Sequence, residues 1–164
     1  MNWIALPLAA LFAAAPAARP FVAQGDYWEI RLNLPVGWKS CTAAAPAPNH
    51  GFVLAPRDGS CAEVAPLRFL VENNLADELP DMAALQQQAG CSAGSRTVDS
   101  SGQRWTVCRD AQQGETALHV QSCGENPNDA VIFTVQRSGE DAAAVALFGQ
   151  VLESVKLRCP PVAH

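Results

Sequence analysis

The sequence predicts an α+β fold in which two helices pack on a largely antiparallel sheet of about six or seven strands. Three observations indicate this class. Apolar residues repeat with a period of two in several short segments, and only two segments show helical spacing. The strand segments come in runs instead of alternating one-to-one with helices. Turn-forming residues separate them. The expected order is three strands, a helix, four strands and a second helix.

The first three strands are expected before the first helix. Residues 27–34 place four apolar side chains on one face of a strand, namely Trp28, Ile30, Leu32 and Leu34. A Pro-x-Gly-Trp sequence then ends that strand. The second strand is expected at residues 51–56 and the third at residues 61–73. Pro66 interrupts the third, which favours an edge position or a bulge there.

The first helix is expected at residues 75–90. Pro80 suits a first turn, the acidic residues suit the positive N-terminal end, and Gly90 suits the end of the helix. Four strands follow in quick succession, separated by turn residues. We expect an antiparallel meander, with strands at residues 95–100, 103–110, 115–123 and 130–137.

The second helix is expected at residues 139–154, with Ser138 as its cap and Asp141 in the capping-box position. Six apolar residues fall on one helical face, and this face must be covered by the sheet. They are Ala144, Val145, Phe148, Val151, Leu152 and Val155.

The N-terminal residues 1–17 have the pattern of a secretory signal peptide. Residues 3–15 are nearly all apolar but short for a membrane span, and an Ala-x-Ala site ends at Ala17. The alternative is a retained membrane anchor or a buried helix. The remaining residues 18–164 are expected to form one domain without stable membrane insertion. We therefore expect a periplasmic or secreted protein.

Six cysteines, all in the part after Ala17, favour a disulfide framework in an oxidising compartment. No pair has the close spacing of a zinc ligand set. Six cysteines allow 15 pairings. Sequence order and the strand map favour Cys41 with Cys61, Cys91 with Cys108, and Cys123 with Cys159.

Neither charge nor motifs indicate catalysis or nucleic-acid binding. The net charge is −5 and no basic cluster occurs, so nucleic acid is not an expected partner. His50, His119 and His164 are scattered, and we expect surface or rim positions, no metal and no cofactor. No nucleophile elbow or phosphate loop is present, so the chain is not expected to be an enzyme.

The tryptophans are assigned mainly to the core. Trp28 and Trp105 share their strand faces with aliphatic residues, so core packing is expected. Trp38 follows the Pro-x-Gly turn and suits either the core or a ligand pocket, including a carbohydrate site.

Two segments and the element order resemble the PsbP-like/Mog-like family. The segments are YWEIRLNLPVGWKS, residues 27–40, and FGQVLESVKL, residues 148–157. Within that family the chain looks most like small bacterial periplasmic immunity proteins, which block toxins delivered by type VI secretion. The resemblance implies protein binding without catalysis. Its motifs are structural, so it assigns no binding residue.

The function expected from these features is that of a periplasmic immunity protein that binds and occludes a cognate secreted toxin. Acidic residues would face a basic cleft of the toxin and speed encounter. The alternative is an exported module that binds a small ligand or an envelope polymer in the cleft between the sheet and the final helix. The candidate partner-binding residues are Glu72, Asn74, Asp77, Glu78, Asp81, Asn49 and His50.

Overall fold

A computed structural model describes residues 18–41, 50–61, 65–92, 94–112 and 114–159. The expected signal peptide, Asn49 and His164 lie outside these residues. In chain order the elements are β1 (Arg19–Gln24), β2 (Glu29–Leu34), β3 (Trp38–Cys41), β4 (His50–Pro56), β5 (Leu67–Asn73), α1 (Met82–Gln88), β6 (Arg96–Ser100), β7 (Gln103–Arg109), β8 (Glu115–Ser122), a 3₁₀ turn (Pro127–Asp129), β9 (Ala130–Arg137), α2 (Ala142–Ser154) and β10 (Lys156–Arg158).

The described strands form two antiparallel sheets. The larger has seven strands in the order β3-β4-β5-β9-β8-β7-β6, and the smaller has the order β1-β2-β10. Every strand pair in both sheets is antiparallel. The α+β class with an antiparallel sheet and two helices is therefore confirmed.

The core lies between the larger sheet on one side and the smaller sheet with α2 on the other. Alternate residues of β2 are buried, as their period of two predicted. Trp28 and Trp105 are both in the core, at 6% and 0% exposure, as expected. Helix α2 contributes five buried side chains, namely Ala144, Leu147, Phe148, Val151 and Leu152. Val145, which was expected on the covered face, is 42% exposed, so the prediction is wrong for this residue.

The structure contains three short strands, β1, β3 and β10, that the sequence did not predict. β1 pairs along the whole of β2, β3 pairs with β4, and β10 pairs with the opposite edge of β2. Each lies at the edge of its sheet, and β1 begins with Arg-Pro. Edge strands are short and carry polar residues, so their pattern gives little signal in the sequence.

Both helices begin later than expected. Helix α1 starts at Met82, where the Asp81 carboxylate accepts a hydrogen bond from the Ala83 N–H at 3.2 Å. Pro80 therefore precedes the helix. Helix α2 is capped by Asp141, which accepts from the Ala144 N–H at 2.9 Å, so the prediction of a Ser138 cap is wrong. Aspartate satisfies an unpaired N–H and also carries charge at the positive helix end.

Strand β5 begins at Leu67, directly after Pro66. β5 lies between β4 and β9, so Pro66 precedes an internal strand, and the prediction of an edge position is wrong. The Pro66 carbonyl accepts a hydrogen bond from Ser138 N–H at 3.1 Å. Proline has no N–H for a sheet ladder, which explains why pairing starts after it.

Three disulfides join Cys41 to Cys61, Cys91 to Cys108, and Cys123 to Cys159. These are the pairs that chain order favoured. Such a framework is typical of an oxidising compartment. In the described ranges, no helix is long and apolar enough to cross a membrane.

Candidate functional site

Two loops emerge side by side from one end of the larger sheet. The first, residues 74–81, follows β5, and the second, residues 123–129, joins β8 to β9. Asn73 lies opposite Val131, and Ser122 lies opposite Ala130, so both loops begin at the same end of the sheet. We call these two loops together the acidic end, because five exposed acids lie on them: Asp77, Glu78, Asp81, Glu125 and Asp129.

One buried amide fixes the first loop to the second. The Asn74 side chain donates to the carbonyls of Glu78 and Pro127, both at 2.8 Å, and to the Ala76 carbonyl at 3.3 Å. Its own N–H donates to the Ala130 carbonyl at 2.9 Å. A buried amide with its donors satisfied in this way sets the path of the surrounding backbone. Asn74 is only 6% exposed, so it positions the loop and does not itself present a contact surface.

The loop that Asn74 holds carries two exposed leucines. Leu75 is 81% exposed and Leu79 is 59% exposed. Asp77 lies between them in the chain, and Glu78 and Asp81 flank Leu79; all three acids are exposed. Large apolar side chains surrounded by charge, on a backbone held in place, are typical of a protein contact surface.

Sequence reasoning identified the acids but missed the leucines. The prediction places residues 75–81 inside the first helix, so it does not single out Leu75 and Leu79 as exposed loop residues. The helix instead starts at Met82, and none of its residues is fully buried. The available signal was Pro80 followed by Asp81, a proline and a capping residue that together mark a helix start.

The second loop is also well tied. The Asp129 carboxylate accepts from the Asn126 N–H at 3.2 Å, and Cys123 N–H donates to the Asp129 carbonyl at 3.1 Å. A side chain at Gly124 would clash with the Asp129 side chain, so a larger residue there would have to displace the carboxylate that accepts from Asn126. The Cys123–Cys159 disulfide attaches the chain after β10 to the same loop.

The other candidate residues are dispersed. Glu72 is half-buried and lines a depression of about 290 Å³ between α1 and the outer face of the larger sheet. His50 is exposed at the start of β4, with its ring 6.3 Å from that of Tyr27. The structure therefore groups Asp77, Glu78 and Asp81 on one loop and separates Glu72 from them.

His119 is a core residue, so the prediction of a surface or rim position is wrong for it. It is 8% exposed, and its ring lies 5.4 Å from Trp105. Nδ1 lies 2.9 Å from the Arg104 carbonyl and Nε2 lies 3.3 Å from the Gln121 amide oxygen. These partners are neutral, as expected of a satisfied core histidine. Among the described side chains, no three His, Cys, Asp or Glu residues group as a metal site.

The space between α2 and the sheets is filled by side chains. Phe148, Val151 and Leu152 of α2 belong to the same buried cluster as β2 and β5. This counts against a ligand cleft between the sheet and the final helix. An open depression of about 410 Å³ remains at the C-terminal end of α2, where Glu153 and Ser154 face Asn33 and Val36.

Glu115 is the most buried acid of the described chain and lies at the end of the sheet opposite the acidic end. Its carboxylate is 3.1 Å from Arg96, 3.2 Å from Arg137 and 3.8 Å from Arg109. Burial alone would raise the pKa of Glu115. The hydrogen bonds and charges of Arg96 and Arg137 outweigh burial, so the pKa is lower than usual. Sequence alone gave no reason to join these four residues.

Comparisons with known proteins give a fold likeness only. No family model matches the chain, and no curated protein matches it. Among solved structures it is similar to the solution structure of cyanobacterial PsbP (CyanoP) from Synechocystis sp. PCC 6803. The two share 14% identity with a TM-score of 0.46, and the match covers 93% of this chain and 99% of that one. A likeness at this level does not extend to function.

Proposed function

We propose that this chain is a protein-binding protein that uses its acidic end to dock on a basic surface of its partner. In its most specific form, the proposal is a periplasmic immunity protein that occludes the active site of a cognate toxin delivered by type VI secretion. The chain itself performs no catalysis in this account. The observation that carries the proposal is the pair of exposed leucines on a loop held by the Asn74 amide.

The leucines are the expected source of affinity. Leu75 is mostly exposed and Leu79 more than half exposed in the free protein, so a partner pocket that covers them would bury that remaining apolar surface. The loop is already held by hydrogen bonds to residues 78 and 127, so little backbone ordering is needed on binding. Because the loop is already ordered, binding costs less conformational entropy, and more of the favourable contact free energy contributes to affinity.

The acids are the expected source of fast and selective encounter. Asp77, Glu78 and Asp81 surround the leucines, and Glu125 and Asp129 lie on the adjoining loop. A basic cleft would be attracted to this concentration of negative charge, and an acidic surface would be repelled. A toxin that acts on anionic envelope polymers would carry such a cleft.

The test is capture of a partner with matched variants. The disulfide-bonded protein is immobilised and exposed to lysate and secreted fractions of its source cell. Leu75→Ser/Leu79→Ser is compared with Val22→Ser/Val145→Ser, which changes two other exposed apolar residues, 48% and 42% exposed. We expect the wild type and the valine variant to capture one stoichiometric partner. The leucine variant should fail to capture it.

Two results would overturn the docking proposal: capture of no protein with the disulfides intact, or equal capture by all three proteins. The immunity function is tested separately, by whether the captured partner is toxic when expressed alone in the periplasm and harmless when co-expressed with this chain. A non-toxic partner would contradict the immunity function and leave the docking surface supported.

A further inference from the structure

A small basic pocket lies at the end of the molecule opposite the acidic end. It has a volume of about 170 Å³. Three cationic residues line it, each from a different part of the chain: Arg19 begins β1, Lys39 lies in β3, and Arg57 follows β4. Pro35, Val36, Gly37 and Trp38 complete the lining.

Backbone pairing brings these three cations together. Arg19 lies opposite Leu34, immediately before the 35–37 turn, and Lys39 lies opposite Ala55, two residues before Arg57. Gly37 has a φ of +88°, which favours glycine in this turn. The Gly37 carbonyl accepts from the Arg57 N–H at 2.7 Å, which fixes the turn against the end of β4.

The pocket has no acidic residue in its lining. The ion pairs found in the described parts of the chain involve Arg31, Arg96, Arg104, Arg109 and Arg137, and none involves the three pocket cations. Asp58 follows Arg57 in the chain but does not line the pocket. In a protein of net charge −5, three cations around one concavity favour an anionic ligand.

We propose that this pocket binds a phosphate group, either free or carried by an anionic lipid headgroup. Arginine presents parallel N–H donors that match phosphate oxygens, and lysine adds a compact charge. The volume fits one such group. Trp38 and Val36 provide apolar wall, which suits the carbon atoms next to a phosphate ester. The site is separate from the acidic end, so this inference does not depend on the partner proposed above.

The experiment titrates the disulfide-bonded protein at low salt and neutral pH in two arms. One arm uses inorganic phosphate, followed by NMR shifts of the Trp38 indole and of the arginine side chains. The other uses phosphatidylcholine vesicles with and without phosphatidylglycerol, followed by sedimentation. Lys39→Gln and Arg57→Gln test the pocket. Lys156→Gln is the matched control, because Lys156 is the other lysine of the chain and lies exposed in β10.

The wild type should bind phosphate saturably, with a dissociation constant of roughly 1 mM, and each pocket variant should weaken it about tenfold. Lys156→Gln should remain within about twofold of wild type, as expected for a charge outside the site. Binding in the vesicle arm alone, dependent on Lys39 and Arg57, would identify a lipid headgroup as the source. Lys39→Arg, which keeps the charge, should bind better than Lys39→Gln.

Absence of saturable binding in both arms would overturn the proposal. Equal weakening by Lys39→Gln and Lys156→Gln would also overturn it, because that result indicates a general charge effect. An unchanged amide spectrum away from residues 35–39 and 57 establishes that each variant is folded, and Arg57→Gln replaces an exposed side chain outside the core.

Discussion

The two ends of the larger sheet present opposite surfaces. The acidic end projects Leu75 and Leu79 outward on a loop surrounded by carboxylates. The other end, which we call the basic end, is concave at Arg19, Lys39 and Arg57 and also contains the Glu115 cluster. The net charge of −5 is therefore a sum that includes two regions of opposite character. We propose protein docking at the acidic end and anion binding at the basic end.

The two ends are also held in different ways. A side chain, Asn74, organises the acidic end by bonding to carbonyls of both loops. At the basic end, backbone pairing and the Gly37 turn organise the pocket. Separately, the Glu115 carboxylate accepts hydrogen bonds from Arg96 and Arg137. Single substitutions should therefore loosen one end and leave the other intact.

Removal of the disulfide at the acidic end should have the largest effect. Cys123→Ser/Cys159→Ser opens a link across 36 positions, which in the chain-entropy treatment costs about 3–4 kcal/mol of unfolding free energy. The Cys91–Cys108 link at the basic end spans 17 positions, so its loss should cost roughly 0.7 kcal/mol less. Urea unfolding of both double variants measures the difference. A larger loss from the shorter link would contradict this ordering.

Asn74→Ala should reduce the free energy of unfolding by about 2–3 kcal/mol, because it leaves the Glu78 and Pro127 carbonyls without their amide donor. Hydrogen exchange should accelerate in residues 74–81 and 123–129, with the basic end unchanged. Asn33→Ala replaces an exposed asparagine and should stay within about 0.5 kcal/mol of wild type. Equal losses from the two variants would show that Asn74 has no special role.

Glu115→Gln tests the basic end and should cost about 1–2 kcal/mol at pH 7, since it removes the charge that faces Arg96 and Arg137. The pKa of Glu115 is lowered in the folded protein, so its carboxylate contributes stability fully above the ordinary glutamate range. That contribution is lost as pH falls through the lowered value.

The measurement for Glu115 is therefore urea unfolding of wild type and Glu115→Gln from pH 7 to pH 3. The gap between the two proteins should be widest at neutral pH and should narrow below about pH 4. Glu125→Gln, an exposed change at the acidic end, provides the control and should show no comparable gap. A gap that widens on acidification would contradict the assigned direction of the pKa shift.

Charge reversal should have the smallest effect on the free energy of unfolding, but it should clearly change the rate of association with the partner. Asp77→Lys/Glu78→Lys should slow association with the captured partner about tenfold at low salt, and this difference should shrink at high salt. Lys39→Glu/Arg57→Glu, the same number of reversals at the basic end, should not slow association. Surface plasmon resonance at two salt concentrations measures both. Equal slowing by the two variants would remove the distinction between the ends.

The sequence predicted the elements whose periodicity reflects burial. β2, β9 and α2 each place apolar residues against the core, so their patterns are strong. β1, β3 and β10 were missed because they are edge strands of three to six residues with few buried side chains. β6 is also an edge strand, but the Ser101-Gly102 turn that follows it made it predictable. Residues 75–81 are predicted to be helical because Pro80 and the nearby acids fit a helix start and Gly90 fits a helix end. The helix begins only at Met82, and Leu75 and Leu79 are exposed on the preceding loop.

The candidate site was harder to predict because it depends on contacts between residues that are far apart in the sequence. The acids could be named from composition and loop position, but the role of Asn74 depends on Pro127, 53 positions away. The basic pocket depends on residues 19, 39 and 57 meeting through strand register. Contacts of this kind follow from the tertiary fold and leave no local pattern in the chain.

Hydrogen exchange on the complex with the captured partner shows whether the acidic end is the docking surface. Free and bound protein are compared peptide by peptide. We expect strong protection of residues 74–81, weaker protection of residues 123–129, and no change at residues 35–39 and 57. Protection centred on the basic end, or on the depression between α1 and the sheet, with residues 74–81 unchanged, would contradict the claim that the acidic end is the docking surface.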